Sequence, residues 1–248
     1  MRRIKHKKTA TINPSINYTD WNDWLVDENN NIIDLDQVTD DFLSGGTTAA
    51  LNGLLGTLSW SITPGTVASK AGELNHPGIV LLASGATQYN ITRLYLATSA
   101  INPSMMLDNM TYIAFIIRPS LGTTVMSVRA GFTQSLTTTD DGAQGAYWSF
   151  NTLVDNYWGS VTRDAGGITR NPTNIPYELS KWYLLEIKRN GNNLEFWLNN
   201  SLKFNHSTNI TTLGLFPFIA VQTNETSNKT IDIDYFAMNT IINAQRWT

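Results

Sequence analysis

The chain has 248 residues, 42% of them hydrophobic and 15% charged, with a formal net charge of −3 and no cysteine. That length buries one substantial core, as a single all-β domain does, and the absence of cysteine excludes disulfide frameworks and thiolate metal sites. No run approaches the ~18 continuous apolar residues of a membrane span, and no apolar core follows the basic start MRRIKHKK, so neither a spanning helix nor an export signal is expected.

Arg2, Arg3, Lys5, Lys7 and Lys8 place five positive charges in the first eight residues, which leaves 12 basic against 20 acidic side chains in the rest, a balance of −8. A basic arm on an acidic body suits docking on a negative surface, although a solvated terminus has the same composition. Residues 1–38 read as this arm, and residues 39–248 as the body. Within the arm, Trp21 and Trp24 precede two short apolar runs with a turn at Asn29-Asn30-Asn31. Asp27 to Asn31 starts like a D-x-N-x-N calcium loop, but Ile32 stands where the loop needs glycine and Val38 where it needs a final glutamate. A turn is the simpler reading. Asp140-Asp141-Gly142 reads the same way, and the small, uncharged segment 44–56 reads as a loop.

From Leu58 onward, short β-type runs recur between Gly, Asn, Pro and Ser clusters: 58–63, 78–84, 92–98, 111–119, 125–132, 146–154, 159–163, 182–189, 194–199, 216–223 and 230–238. This is the pattern of a two-sheet sandwich or a barrel, and no segment has helical periodicity. A hairpin joins 182–189 to 194–198 through Asn190-Gly191-Asn192-Asn193, since glycine supplies the positive φ of a tight turn. Strand parity turns Tyr183, Leu185, Ile187, Leu194, Phe196 and Leu198 inward. Trp197 then lies beside Glu195 on the outward face. Together with Tyr157 and Trp158 in an Asn-rich stretch, Trp197 is a candidate for stacking against a glycan.

Several segments in order carry a family resemblance: Asp40-Asp41-Phe42 with Ser44-Gly45, the run Gly72 to Ile79, Phe115 to Pro119, Val128 to Gly131, Trp182 to Leu185, and Asp232-Ile233-Asp234-Tyr235-Phe236. Together they resemble the concanavalin A-like (laminin-G-like) jelly roll, in the version found in virion structural proteins of tailed phages, as tail fibres or capsid-attached decorations. The resemblance covers about residues 40 to 240 and implies a sandwich of two antiparallel sheets behind an extended N-terminal arm. It also implies a virion protein assembled in the host cytoplasm, contacting other virion proteins through the arm. Such a protein is a homo-oligomer, with a trimer suggested by analogy with fibres, and it has a host surface glycan as a further partner.

The same scaffold carries retaining glucanases with an alternating Glu-x-Asp-x-Glu strand. Their mechanism needs two carboxyls about 5–5.5 Å apart. Here the matching register is Thr230-Ile231-Asp232-Ile233-Asp234, with threonine at the nucleophile position, so no enzymatic activity is expected. Parity puts Asp232 and Asp234 on one face, as receivers of hydrogen bonds or as a candidate calcium site, and turns Ile231, Ile233 and Tyr235 inward. No other cofactor is expected. His6, His76 and His206 read as residues of arm, turn and polar loop.

Overall fold

The computed structural model describes residues 3–9, 19–26, 32–40, 42, 60–63, 65–96, 105–106, 110–121, 124–135, 144–154 and 156–242. All regular structure among them is β, and no helix there is long and apolar enough to cross a membrane. The strands are β1 (Arg3–Thr9), β2 (Thr19–Val26), β3 (Ile32–Asp40), β4 (Ser61–Thr63), β5 (Thr66–Lys70), β6 (Ile79–Ala83), β7 (Ile91–Tyr95), β8 (Met105–Met106) and β9 (Met110–Leu121). They continue as β10 (Met126–Thr133), β11 (Gly145–Asn151), β12 (Tyr157–Arg163), β13 (Ile168–Pro176), β14 (Tyr183–Asn190), β15 (Asn193–Leu198), β16 (Ser201–His206), β17 (Gly214–Thr223) and β18 (Thr230–Ile242).

Among the described residues these form two antiparallel sheets. The first runs β1-β2-β3-β18-β9-β14-β15-β16, with β6 pairing with β18 and β5 with β6. The second runs β13-β12-β11-β10-β17-β7-β4, with β8 on β17. The core lies between them, because the apolar side chains at alternate positions of both sheets face each other. Ile113, Phe115 and Ile117 of β9, Leu185 and Ile187 of β14, and Phe196 of β15 meet Val128, Ala130 and Phe132 of β10 and Trp148 and Phe150 of β11. Trp148 packs edge-on against Phe196 with ring centroids 5.6 Å apart, and its indole N–H donates to the Glu186 carbonyl at 3.0 Å.

The 13-residue strand β18 organises the first sheet. One edge pairs with β9. The other takes β6 along Thr230–Ile233 and β3 along Phe236–Ile242, so residues 34–40 are built into the sheet. At the end of β3, buried Asp40 accepts the Phe42 amide at 2.9 Å and the Trp60 indole N–H at 3.1 Å, and Trp60 packs edge-on against Phe236.

The apolar runs expected as strands are strands, but the polar ones were not anticipated. β5, β13 and β16 carry few large apolar residues, and β13 contains Pro172 and Pro176. β13 and β16 end their sheets, where a missing N–H or a polar side chain is tolerated. The tight turn between β14 and β15 is shorter than expected: Asn190 pairs with Asn193 across Gly191 and Asn192 alone, with φ +61° at Gly191. The expectation for Tyr235 is also corrected. Ile231 and Ile233 are fully buried in the core, but a bulge between Ile233 and Tyr235 resets the alternation. Phe236 and Met238 therefore enter the core, and Tyr235 turns away from it.

Candidate functional site

Two clusters on the outward face of the first sheet hold the polar side chains of interest. The first surrounds Asp232. On β18 its register partner on β9 is Arg118, which donates through Nε to Asp232 Oδ2 at 2.8 Å, and Lys70 of β5 donates to the same oxygen at 2.8 Å. Arg118 also clasps Glu73, with Nη1 to Oε2 at 2.7 Å and Nη2 to Oε1 at 2.5 Å. The Glu73 carboxylate chiefly, with Asp232, holds the guanidinium above its ordinary range, and Arg118 holds Glu73 below its own. Trp182 lies under the guanidinium at 4.5 Å, and His76 stacks on the same indole at 4.1 Å while its Nδ1 reaches Asp234 Oδ2 at 2.8 Å.

Both aspartates are engaged by neighbouring side chains. Asp232 is fully buried and Asp234 nearly so, and both face basic side chains. At Asp232 the Lys70 ammonium and the Arg118 guanidinium already supply positive charge. Among the described residues no three His, Asp or Glu side chains are grouped to hold a metal ion. Thr230, at the nucleophile position, shares a hydrogen bond with Ser120 at 2.8 Å. The cluster fastens the turn 70–78 across β9 and β18.

The second cluster is a shallow groove, wide open to solvent, of about 600 Å³ lined by Tyr112, Glu186, Lys188, Arg189, Asn190, Glu195 and Asn239. The register builds it in rows. Asn239 of β18, Tyr112 of β9, Lys188 of β14 and Glu195 of β15 lie side by side, and the next row is Ala237, Ala114, Glu186 and Trp197. The Lys188 ammonium sits 4.4 Å over the Trp197 ring and 5.6 Å from that of Tyr112, and it pairs with Glu186 Oε1 at 3.0 Å. Glu195 accepts from the Trp197 indole N–H at 3.0 Å and from Asn190 Nδ2 at 2.8 Å. Burial, then the nearby Glu186 charge, holds the Tyr112 phenol above its ordinary range. The result is two aromatic rings, that of Trp197 under the Lys188 ammonium, next to fixed acceptors and donors.

The residues expected from sequence divide between core and surface. Trp197 is on the outward face as its parity requires, beside the groove rather than among its lining residues, with the Lys188 ammonium over its ring. Trp158 is fully buried among Phe150, Tyr177 and Tyr183, so its expected role in stacking a glycan is corrected: its ring faces are taken up by the core. Tyr157 is 42% exposed at the start of β12, in the other sheet. A bulge between Tyr157 and Gly159 accompanies this split. Arg3, Lys5, Lys7 and Lys8 lie in β1, whose register sets Lys5 opposite Asp23 and Lys8 opposite Asp20. Arg2, Asp27–Asn31, Asp140–Gly142 and the segment 44–56 fall outside the described residues. His206 is not in a polar loop but buried at the end of β16. Tyr112, Glu186, Lys188 and Asn239 were not singled out. Parity along β14 marks Glu186 and Lys188 as outward, but nothing local joins them to β9 and β18.

No protein-family model matches the chain, and no curated protein matches it in sequence. Solved structures do match. One is a protein of unknown function from Shewanella oneidensis MR-1, with 14% identity over 86% of this chain and 90% of that one, at a TM-score of 0.61. The Emp47p carbohydrate recognition domain matches with 10% identity over 82% of this chain and 95% of its own, at 0.56. A Bacillus licheniformis β-glucanase matches with 11% identity over 82% and 97%, at 0.52. Identities this low establish the fold, a concanavalin A-like jelly-roll sandwich shared by lectins and glycosidases.

Proposed function

We propose that the chain is a non-enzymatic, lectin-like domain that binds carbohydrate in the groove beside Trp197, and that a tailed-phage virion displays it. The carrying observation is the groove itself, where the rings of Tyr112 and Trp197 adjoin Glu186, Glu195 and Asn190 on an outward sheet face. Sugar rings stack their C–H faces on aromatic side chains, and fixed polar groups select among hydroxyls. The non-enzymatic reading is supported by the state of the carboxylates. In the register that matches the glucanase strand, Asp232 and Asp234 face basic side chains and Thr230 stands where a retaining glycosidase needs its nucleophile.

The virion assignment rests on the ordered pattern of segments from Asp40 to Phe236 and on the basic N-terminal arm, residues 1–38, as the anchor to other virion proteins. Closed homo-oligomers are the general form of such assemblies, and a trimer suits a fibre. A free carbohydrate-binding module that reads host glycans is the second reading, favoured by the same groove.

A glycan array followed by titration tests the site. The wild-type protein should bind at least one saccharide at millimolar or lower concentration, and Trp197→Ala should weaken it about tenfold or more, as loss of a stacking platform does. Silence across the array at millimolar sugar overturns the site. Mass spectrometry of purified infectious particles tests the location, and absence of the chain from them removes the virion reading. Release of reducing sugar from any bound glycan would show a glycosidase instead.

A further inference from the structure

We infer that Glu186 is the specificity-determining acceptor of this groove, and that the saccharide it selects is an uncharged pyranoside donating one hydroxyl to Glu186 Oε2. The inference rests on the carbohydrate reading of the groove. Glu186 is only 4% exposed, stands between Ala114 and Trp197 in the register, and lines the groove. Its Oε1 is held by Lys188 and the Tyr112 phenol also acts on the carboxylate, while Oε2 itself has no hydrogen bond of good geometry. A buried carboxylate oxygen left without a donor is costly, and a ligand hydroxyl that supplies one recovers that cost on binding. Lys188 is the movable cover. Its side chain is 34% exposed on a flexible stem, and a small displacement from the Trp197 face opens both the ring and the oxygen.

The charge balance sets the ligand class. Two carboxylates and two bases line the groove, and their interactions are internal: Lys188 with Glu186, Glu195 with Asn190 and Trp197, and Arg189 Nε with the Gly191 carbonyl at 2.8 Å. A sialylated or sulfated sugar meets Glu186 and Glu195. A protonated amino sugar meets Lys188 and Arg189. A neutral ring meets neither penalty, and it brings the hydroxyl donors that Oε2 lacks.

Calorimetric titration of the full chain with neutral, sulfated, sialylated and amino glycosides, using wild type, Glu186→Gln and Trp197→Ala, tests this. Neutral pyranosides should bind best, and Glu186→Gln should weaken them about tenfold or more. A monodeoxy series gives a readout that needs no mutant. One deoxy position should lose about tenfold against the wild type, and no further affinity against Glu186→Gln. Preference for a charged sugar, a Glu186→Gln variant within about twofold of wild type, or a flat deoxy series overturns the inference. If Trp197→Ala abolishes binding while Glu186→Gln does not, this inference alone fails. If the wild type binds no saccharide, the carbohydrate reading fails with it.

Discussion

His206 shows what burial does to one titratable group. Asn171 Nδ2 and the Ser160 hydroxyl both approach its Nε2, at 3.1 and 2.8 Å. An amide nitrogen is only a donor, so Nε2 accepts and the proton sits on Nδ1. Nδ1–H then donates to Thr162 Oγ1 at 2.8 Å, which donates onward to the Thr208 carbonyl at 3.0 Å. Burial pushes the imidazole down from 6.5 to about 4. The unfolded chain takes up a proton as pH falls through 6.5, whereas the folded chain resists until about 4. His206 therefore contributes its full stability above the higher value and loses it between the two, on the order of 3 kcal/mol in all. Urea midpoints measured from pH 7.5 to 4 should fall for the wild type, and less steeply for His206→Gln. Parallel curves would show that His206 is not the buried neutral group described.

At the scale of elements, the paired aspartates of β18 act through their neighbours. Asp232 is fully buried, and Arg118 on the adjacent strand donates to it through Nε and brings Nη2 to 2.7 Å of the same oxygen as an ion pair, while also holding Glu73 and covering Trp182. Removing one partner of a buried pair leaves charge unsatisfied. Arg118→Ala should therefore cost about 3 kcal/mol or more. Lys70→Ala should cost less, because its side chain is 34% exposed and Arg118 remains. Equal effects in chemical denaturation would mean that β5 holds the cluster as firmly as β9 does. The hairpin of β14 and β15 was legible because inward and outward residues alternate without interruption from Tyr183 to Leu198 across one glycine turn. A bulge defeated the same logic on β18. One extra residue reverses every later side chain, and no local signal in Asp234-Tyr235 announces it.

For the whole molecule, the long strand β18 and its two edges divide the N-terminal region into parts with different roles. β3 pairs with β18 through Asp40, while β1 is the outermost strand of that sheet among the described residues. Deleting residues 2–20 takes away β1 and the first two residues of β2 but leaves β3 in place. That truncation should keep the thermal midpoint within a few degrees, and it should abolish incorporation into particles if the basic residues anchor the chain. Extending the deletion through Asp40 bares the edge of β18 and removes the acceptor of the Trp60 indole, so the domain should unfold at markedly lower temperature or aggregate. Normal incorporation of the shorter truncation would refute the anchoring role.

What the sequence determined by itself is whatever lies within a few residues along the chain: the all-β character, the strongly apolar strands, the inward faces of β14 and β15, and the outward position of Trp197. Alternation and turn residues are local properties, so they are readable from the chain. The tertiary structure alone decided which strands lie side by side. It placed Tyr112 next to Lys188, Ala114 next to Glu186 and Arg118 next to Asp232, residues more than 70 positions apart in each case. It also took Trp158 into the core and set the Asp232 and Asp234 carboxylates against bases. Register between distant strands follows from the fit of the entire core, which no short window of sequence contains.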